Sequence, residues 1–259
     1  PICGCTGLVG GQIALLSNHV SLSVEKLNIT NFYKDSYLLY VQSGAILSNI
    51  KKLAFNNGRL FPLSLASEGS CQIGGNLATN AGGLNVIKYG NVRDLCLGLE
   101  AVLPCGQIVS TMKPLKKNNM GFDLKNLLIG SEGTLGIISE VQLRLSPIPE
   151  SIMSAVCHFS SLEEAVRTAQ ETIQYGIPIA RIEMLNKDQM DISINYSKLQ
   201  GVNASPTLFF EFHGTELANK ESIKIVEDLS KNNNGSKFKW AADLEERNKL
   251  WQARWDVYY

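Results

Sequence analysis

The chain has 259 residues, of which 44% are hydrophobic and 19% are charged. This composition suffices for one large domain or two ordinary ones and excludes a disordered chain. Its 24 basic residues balance 24 acidic ones, which argues against nucleic acid or an anionic membrane as the main partner, and no apolar run approaches the roughly 18 to 20 residues that a membrane span needs.

The first half of the chain predicts short strands and one clear helix. Apolar residues at helical spacing predict a helix at 47–55. Residues 66–92 are rich in Gly, Asn and Ser and lack periodicity, which is typical of a long structured loop that carries function. The turn residues 104–106 join two strands as a hairpin. Strands are expected at 19–24, 37–41, 95–103, 107–111 and in a long run that ends at Leu145.

The second half has a different rhythm. Two prolines at 146–150 interrupt the pattern and predict a domain boundary. Ser161 with Glu164 three residues later is typical of a capping box at the start of a helix. Further helices are expected at 186–197, 217–230 and 243–259, and strands at 153–159, 179–184 and 207–213. This alternation predicts a ferredoxin-like α+β domain.

The cysteine and histidine content argues against metal and disulfide chemistry. Six cysteines are scattered without a CxxC pair, and the chain has three histidines. This spacing argues against a zinc ribbon, an iron–sulfur cluster or a disulfide framework. We therefore expect reduced thiols, an intracellular compartment and no metal ligands in this chain.

Both ends of the sequence look like internal segments. Residue 1 is Pro rather than Met, no signal-peptide pattern follows it, and the last residues continue a helical pattern without a stop signal. The expectation is therefore a fragment of a longer chain.

Four glycine-rich segments, at 3–11, 69–75, 82–83 and 130–136, suggest a binding site. Glycines permit positive φ and let backbone N–H groups approach a ligand, and consecutive N–H groups can hold a pyrophosphate. Together the segments favour a large nucleotide-like ligand, although any one of them could be an ordinary turn. The GxGxxG and GxxxxGK[ST] patterns are absent, which argues against a Rossmann fold, a kinase and an ATPase.

Several of these motifs, in this order, resemble a known family. Residues 1–11 (PICGCTGLVGG) are similar to the pyrophosphate loop of the PCMH-type FAD-binding fold of vanillyl-alcohol oxidase and its relatives. The segments 62–64, 69–83, 88–90, 97–103, 121–124 and 130–138 continue the resemblance. RIEMLN (181–186), PTLFFEFHG (206–214) and EERNKLWQAR (245–254) resemble the FAD-linked oxidase C-terminal domain of D-lactate and D-2-hydroxyglutarate dehydrogenases.

The resemblance implies an α+β protein with two domains. Residues 1–148 would form a PCMH-type FAD-binding domain without its N-terminal part, and residues 149–259 a ferredoxin-like substrate-cap domain without its C-terminal part. The residues implied at the pyrophosphate are Gly4, Cys5, Thr6, Gly7 and Leu8. Those implied at the flavin and its ribityl–phosphate chain are Gly69, Ser70, Gly74, Gly75, Thr79, Asn80, Gly82 and Gly83. Backbone contacts to the isoalloxazine or adenine are implied for Gly136, Ile137 and Ile138.

The chain departs from the family pattern in two respects. Ile2, Cys3 and Cys5 replace a basic or polar residue and two glycine positions. If residue 3 needs a positive φ, the strain would cost about 1–3 kcal/mol. The family's metal-binding and catalytic histidine motif would lie beyond residue 259, and no such motif occurs in this chain.

Charged residues of the second half are candidates for the substrate side. The family uses an arginine at the position of Arg254 to bind the substrate carboxylate, and a guanidinium fork suits that group. Alternatively, Arg254 has its stem on apolar surface and its head in water. We expect His213 to be a packing or hydrogen-bonded turn residue and Glu211 to face solvent or a helix. Glu183 could be a buried polar group or a substrate-side residue.

The sequence therefore predicts FAD-dependent oxidation of a D-2-hydroxy acid, D-lactate or D-2-hydroxyglutarate, to the 2-oxo acid by hydride transfer to flavin. The implied electron acceptor is an electron-transfer flavoprotein or a cytochrome, and the implied compartment is the mitochondrion or the bacterial cytoplasm. Two alternatives stay open: a truncated, catalytically inactive FAD-binding or interaction fragment, and a flavin oxidase of alcohols or sugars.

Overall fold

The computed structural model describes residues 1–14, 16–113, 115, 117–198 and 204–256, with side chains of the last helix described as far as Arg254. The chain divides into two compact units. The first contains Pro1–Asn85 and Tyr89–Ile148, and the second contains Val86–Lys88 and the chain from Pro149 onward. Each unit has its own hydrophobic core.

An antiparallel sheet of five strands forms the base of the first unit. In spatial order its strands are β1 (Thr30–Tyr33), β2 (Leu38–Gln42), β6 (Ile137–Arg144), β4 (Cys96–Val102) and β5 (Ile108–Ser110). Two short strands, β3 (Arg59–Leu60) and β7 (Ser146–Pro147), pair with each other. The pairing of β4 with β5 agrees with the hairpin that the turn residues 104–106 predict.

Helices connect these strands, and all but the third of them bury apolar side chains in the core beside the sheet. They are α1 (Leu47–Asn56), α2 (Ile73–Ala78), α3 (Val86–Tyr89), α4 (Val92–Leu95) and α5 (Leu124–Leu128). Leu47, Ile50 and Ala54 of α1 are fully buried, as are Ile73 and Leu77 of α2. Their burial removes apolar surface from water and provides the main stabilisation of this unit.

Two expectations for the first unit are wrong in detail. Residues 19–24 form no strand, and Ser23 makes only an isolated bridge with Ile2. The alternation there is not matched by burial, because most of the segment is exposed. The region 66–92 contains α2, α3 and α4 rather than loop alone. Helix α2 tolerates glycine because a Cβ at Gly74 would lie 2.5 Å from the Cβ of Ser43, so the packing requires a small residue.

The second unit has the strand order of a ferredoxin-like fold. Its elements are β8 (Ser151–His158), α6 (Leu162–Gln174), β9 (Ile179–Leu185), α7 (Lys187–Ser197), β10 (Thr207–Gly214), α8 (Glu216–Asn232), β11 (Ser236–Ala241) and α9 (Leu244–Asp256). The sheet runs β11-β8-β10-β9 and is antiparallel throughout. Helix α7 is an addition between β9 and β10. The predicted α+β class and ferredoxin-like topology are confirmed.

Helices cover both faces of this sheet. Leu208, Phe210 and Phe212 of β10 belong to a core that includes residues of α6 and α8. Phe209 of the same strand packs in a second cluster with Trp251 of α9 and with a methionine of α7. Successive side chains of a strand point to opposite faces, so β10 is buried on both sides.

The ends of the helices agree with the sequence signals. Ser161 and Glu164 form the predicted capping box of α6, with the Ser161 hydroxyl accepting from the Glu164 amide at 3.3 Å. Helix α9 is described as far as residue 256, and 257–259 of the predicted helix lie outside the described residues. In the part of the chain that the structure describes, no helix has the length and apolar character to cross a bilayer.

Candidate functional site

Three glycine-rich segments that are distant in sequence meet around α2. Residue Gly4 lies against the turn before this helix, where a Cβ would be 2.5 Å from the carbonyl oxygen of Ser70 and 2.9 Å from the Cα of Cys71. A Cβ at Gly75 would lie 3.0 Å from the Cβ of Cys3. The first loop therefore contacts the start of α2 at distances that only glycine permits.

The third segment contacts the other end of α2. The amide of Gly130 donates to the carbonyl of Leu77 at 2.9 Å, and the amide of Glu132 donates to the carbonyl of Ala78 at 2.9 Å. A Cβ at Gly133 would lie 2.7 Å from Cγ of Pro1. Loop 1–11, helix α2 and the 130–134 turn thus form one continuous surface.

In the part of the chain that the structure describes, the first loop presents a run of backbone donors without a hydrogen-bond partner. Its start is fixed, because the amide of Ile2 donates to the carbonyl of Leu22 at 2.7 Å. The amides of residues 3–9 donate to no other group among the described residues. Cys5 has φ of 51°, and the side chain of Leu8 is 95% exposed. Successive free N–H groups beside a left-handed residue form a concavity suited to an anion.

The backbone strain of this loop lies at a different cysteine from the one considered in the sequence. Cys3 does not have a positive φ, whereas Cys5 does. The Cβ of Cys3 packs beside Gly75 instead. A positive φ at a non-glycine residue costs on the order of 1 kcal/mol or more, and it is found where function or packing requires it. With cysteine at both positions, the loop keeps amides that donate to no group among the described residues, so the residues present fit the pyrophosphate of FAD.

Other residues predicted for the flavin side have mixed surroundings. Gly69 has no atom of the described residues within 4 Å of an added Cβ. The hydroxyl of Thr79 donates to the carbonyl of Gly75 at 3.0 Å, which closes the C-terminal turn of α2. The side-chain oxygen of Asn80, which has φ of 47°, accepts from the amide of Arg93 at 3.2 Å.

Glycines near the sheet serve close packing. Gly83, with φ of 77°, would bring a Cβ to 2.3 Å from the carbonyl oxygen of Ser64. Gly136 would bring a Cβ to 3.0 Å from the carbonyl oxygen of Val102, and the side chain of Ile138 is buried in β6. Gly7 lies near the side chain of Gln12, which donates to its carbonyl at 2.8 Å. The remaining predicted positions, Thr6, Ser70 and Gly82, are exposed or partly exposed, and Ile137 is partly buried at the start of β6.

Sequence reasoning missed two polar side chains at the start of α2. Gln72 and Asn76 are buried, and their side-chain carbonyl oxygens have no hydrogen-bond partner among the described residues. A buried, unsatisfied acceptor costs about 1–3 kcal/mol, so such groups require an explanation. The sequence feature that could have identified these two residues is their position between the glycines of the 69–83 segment.

The second unit contains a buried ion pair at the predicted substrate-side arginine. Arg254 of α9 donates to one carboxylate oxygen of Glu183 on β9, from Nε at 2.9 Å and from Nη2 at 2.7 Å. The exposed fractions of the two side chains are 10% and 22%. The alternative of a head group in water is therefore wrong, because the guanidinium lies against the sheet.

A second ion pair lies on the same sheet face. Arg181 of β9 pairs with Glu211 of β10, and these residues are direct cross-strand partners. Glu211 also bonds His213 Nε2 at 2.8 Å, and the Arg181 guanidinium stacks 4.2 Å from the ring centre of Trp251. Burial by itself raises the pKa of Glu211, but the hydrogen bond to His213 and the charge of Arg181 outweigh it and lower the pKa below its ordinary value.

This arrangement corrects one expectation and agrees with another. Glu211 is buried in an ion pair rather than exposed to solvent. His213 is a buried, hydrogen-bonded residue, as expected. Among the residues that the structure describes, no group of three or more His, Cys, Asp or Glu side chains is placed to hold a metal ion.

Two protein families match the chain. Residues 1–112 match the FAD binding domain, and residues 148–259 match the C-terminal domain of FAD linked oxidases. A probable mitochondrial D-lactate dehydrogenase of Danio rerio is 37% identical over 98% of this chain and 51% of its own length. A mitochondrial D-lactate dehydrogenase [cytochrome] of Arabidopsis thaliana is 40% identical over 76% of this chain and 34% of its own length.

A mitochondrial D-2-hydroxyglutarate dehydrogenase of Bos taurus is 40% identical over 65% of this chain and 31% of its own length. The chain thus spans about half or less of the curated relatives it matches. Among solved structures, alkyldihydroxyacetonephosphate synthase is similar with a TM-score of 0.79 and 20% identity, over 98% of this chain and 50% of that one. p-Cresol methylhydroxylase is similar with a TM-score of 0.68 and 17% identity, over 92% of this chain and 54% of that one. These structural similarities show the fold.

Proposed function

The chain belongs to the FAD-linked oxidases, with a FAD binding domain at 1–112 and the C-terminal domain of that family at 148–259, and from this membership we propose that the protein oxidises a D-2-hydroxy acid to the 2-oxo acid. The observation that carries the proposal is the meeting of loop 1–11, α2 and the 130–134 turn, together with loop amides at 3–9 that donate to no group among the described residues. Named relatives that act on D-lactate and D-2-hydroxyglutarate supply the substrate class.

Loop 1–11 would hold the cofactor through its backbone. The amides of Gly4–Leu8 would donate to the pyrophosphate, and the hydroxyl of Thr6 could add one further donor. When bound, FAD supplies the acceptor of the hydride that leaves the α-carbon of the acid.

The proposed role of Arg254 is to bind the substrate carboxylate. Its guanidinium is held at the sheet of the second unit, and a planar fork of N–H donors orients a carboxylate. A fixed carboxylate fixes the adjacent α-carbon, and such positioning lowers the barrier to transfer. A base elsewhere would take the hydroxyl proton.

The finer parts of the proposal are the acid, the electron carrier and the compartment. We assign D-lactate or D-2-hydroxyglutarate as substrate, and an electron-transfer flavoprotein or a cytochrome as the carrier. We propose a mitochondrial or bacterial cytoplasmic location, in keeping with mitochondrial relatives and a bacterial one. The comparisons do not favour the alternative of an inactive FAD-binding or interaction fragment, since both halves match enzyme families in order.

Cofactor binding is the first test. The purified chain is scanned for visible absorbance, and any flavin is released and identified. Stoichiometric FAD, present on purification or taken up after addition, supports the proposal. No flavin after addition of excess FAD contradicts the cofactor assignment for this chain.

The substrate assignment needs the whole enzyme. Reduction of an artificial dye is measured with D-lactate, D-2-hydroxyglutarate, their L-isomers and an alcohol without a carboxylate. The expected result is turnover of at least one D-acid and none of the alcohol. An alcohol that reacts as well as the D-acids contradicts the role of Arg254 and favours a flavin oxidase of alcohols or sugars.

A further inference from the structure

Glu183 is placed to control the orientation of Arg254. It lies in the middle of β9, an edge strand of the sheet, and its partner lies 71 residues further along the chain on α9. A single oxygen, Oε2, accepts from both Nε and Nη2 of Arg254, at 2.9 and 2.7 Å. Two bonds from one guanidinium to one fixed oxygen restrict rotation about the last side-chain bonds of the arginine.

The position of α9 does not depend on this pair alone. Trp251 precedes Arg254 by less than one helical turn, is almost fully buried and stacks against Arg181. Its ring also lies 5.6 Å from the ring of Phe209. Because packing around Trp251 fixes the position of α9, the bonds from Glu183 are needed only to orient the Arg254 guanidinium.

The charge of the pair matters as well. Arg254 has a 10% exposed side chain, and a buried charge without a partner is strongly unfavourable. Glu183 neutralises that charge while using two of the five N–H donors of a guanidinium. A substrate carboxylate would therefore meet a guanidinium whose charge is already balanced, so that geometry contributes more to its recognition than net charge.

We propose that Glu183 is a positioning residue of the substrate site, which acts by orienting the guanidinium of Arg254 towards the carboxylate of the 2-hydroxy acid. This inference rests on the proposed function of Arg254. It assigns Glu183 no contact with the substrate.

A double-mutant cycle in the whole holoenzyme tests the inference. The variants are Glu183→Ala, Arg254→Ala and the double variant, with Glu183→Gln as the conservative change and Glu163→Gln as the matched control, since Glu163 is exposed on α6. A displacement of about 1 Å in a positioning group can cost about 100-fold in rate, so Glu183→Ala should lower kcat/KM for the D-acid by about 10-fold to 100-fold. Glu183→Gln should retain part of the activity because it keeps an oxygen acceptor.

The double variant gives the decisive comparison. If Glu183 acts through Arg254, Glu183→Ala in the Arg254→Ala background causes no further loss of kcat/KM. Losses that multiply would overturn the inference, as would a Glu183→Ala enzyme with wild-type kcat/KM. FAD content and thermal unfolding are measured on every variant, and Glu183→Gln provides the answer if Glu183→Ala fails to fold.

Failure of the inference is distinguishable from failure of the proposed function. If Arg254→Ala leaves kcat/KM unchanged, the carboxylate role of Arg254 is wrong and the inference fails with it. If Arg254→Ala lowers kcat/KM and Glu183→Ala does not, only the positioning role is wrong. The control Glu163→Gln should behave as the wild type in every assay.

Discussion

Replacing Gly4 by Ala should weaken FAD binding, because it separates the first loop from α2. The new Cβ would lie 2.5 Å from the carbonyl oxygen of Ser70, 2.9 Å from the Cα of Cys71 and 3.1 Å from the amide nitrogen of Gln72. All three atoms belong to backbone, and ordinary contacts between carbon atoms are about 3.5–4.0 Å. The loop must therefore move by roughly 1 Å from the turn that it now contacts.

The magnitude follows from the cost of overpacking. Forcing extra atoms into a packed site typically costs about 1–3 kcal/mol, and this is the cost of holding the loop where its amides reach the pyrophosphate. The strain is relieved when the loop moves, and the moved loop no longer presents its amides to the pyrophosphate. Because 1.4 kcal/mol corresponds to tenfold in affinity, Kd for FAD should rise by about fivefold to 100-fold.

The assay is titration of flavin-free protein with FAD, followed by the quenching of flavin fluorescence. Gly11→Ala is the matched control in the same loop, because among the described residues its Cβ would meet only a carboxylate oxygen of Glu132 at 3.9 Å, an ordinary contact. Thermal unfolding without FAD measures the effect of each change on the fold itself. If Gly4→Ala binds FAD as tightly as Gly11→Ala and the wild type, the close approach of this loop to α2 has no part in cofactor binding.

Two further substitutions and one labelling experiment test other residues of the chain. Glu211→Gln leaves the buried Arg181 without its counter-charge and should lower the free energy of unfolding at pH 7 by about 3–5 kcal/mol. Because the pKa of Glu211 is lowered in the folded state, its contribution to the free energy of unfolding is present above the ordinary carboxyl pKa and is lost as the pH falls through the pKa of the folded state. The stabilities of wild type and variant in denaturant unfolding should therefore converge in acid. A difference that stays constant with pH would contradict this linkage. Iodoacetamide at pH 8 should label exposed Cys5 much faster than Cys96, because burial raises the pKa of Cys96 to about 12. Bound FAD should slow the labelling of Cys5, and mass spectrometry of peptides measures both rates. Equal labelling of Cys5 with and without FAD would mean that Cys5 does not lie beside the cofactor. Ser161→Ala removes the N-cap of α6 and should cost about 1 kcal/mol in denaturant unfolding, whereas an unchanged midpoint would mean that the cap contributes nothing.

Local signals predicted much of the fold because the relevant contacts are close in sequence. The capping box at Ser161 and the hairpin turn at 104–106 depend on residues within a few positions of each other, and both are present. The segment 19–24 shows the limit of this reasoning. Its alternation suggests a strand, but a strand requires a partner, and the structure supplies only one bridge to Ile2.

The sequence predicted that the glycine segments form a site, but the contacts of each glycine depend on tertiary structure. Gly4 and Gly83 both permit close approach to a carbonyl oxygen, while Gly69 has open space around it. No property of a glycine in the sequence separates these cases. For the same reason, the sequence could not show that Cys5 and not Cys3 has the positive φ. The path of the loop past Gly75 determines which residue takes that conformation.

The ion pairs of the second unit were beyond sequence reasoning for a different physical reason. In the stretch FFEFHG, alternation of aromatic and charged residues normally indicates a strand with one wet face. Here α9 covers the charged face, so Glu211 must find a buried partner, and the register of β10 with β9 places Arg181 directly opposite. Glu183 lies two residues further along the same face of β9 and meets Arg254. Once the helix covers the sheet, each of these carboxylates requires a cation, and the cation that Glu183 contacts is Arg254, the proposed carboxylate-binding arginine.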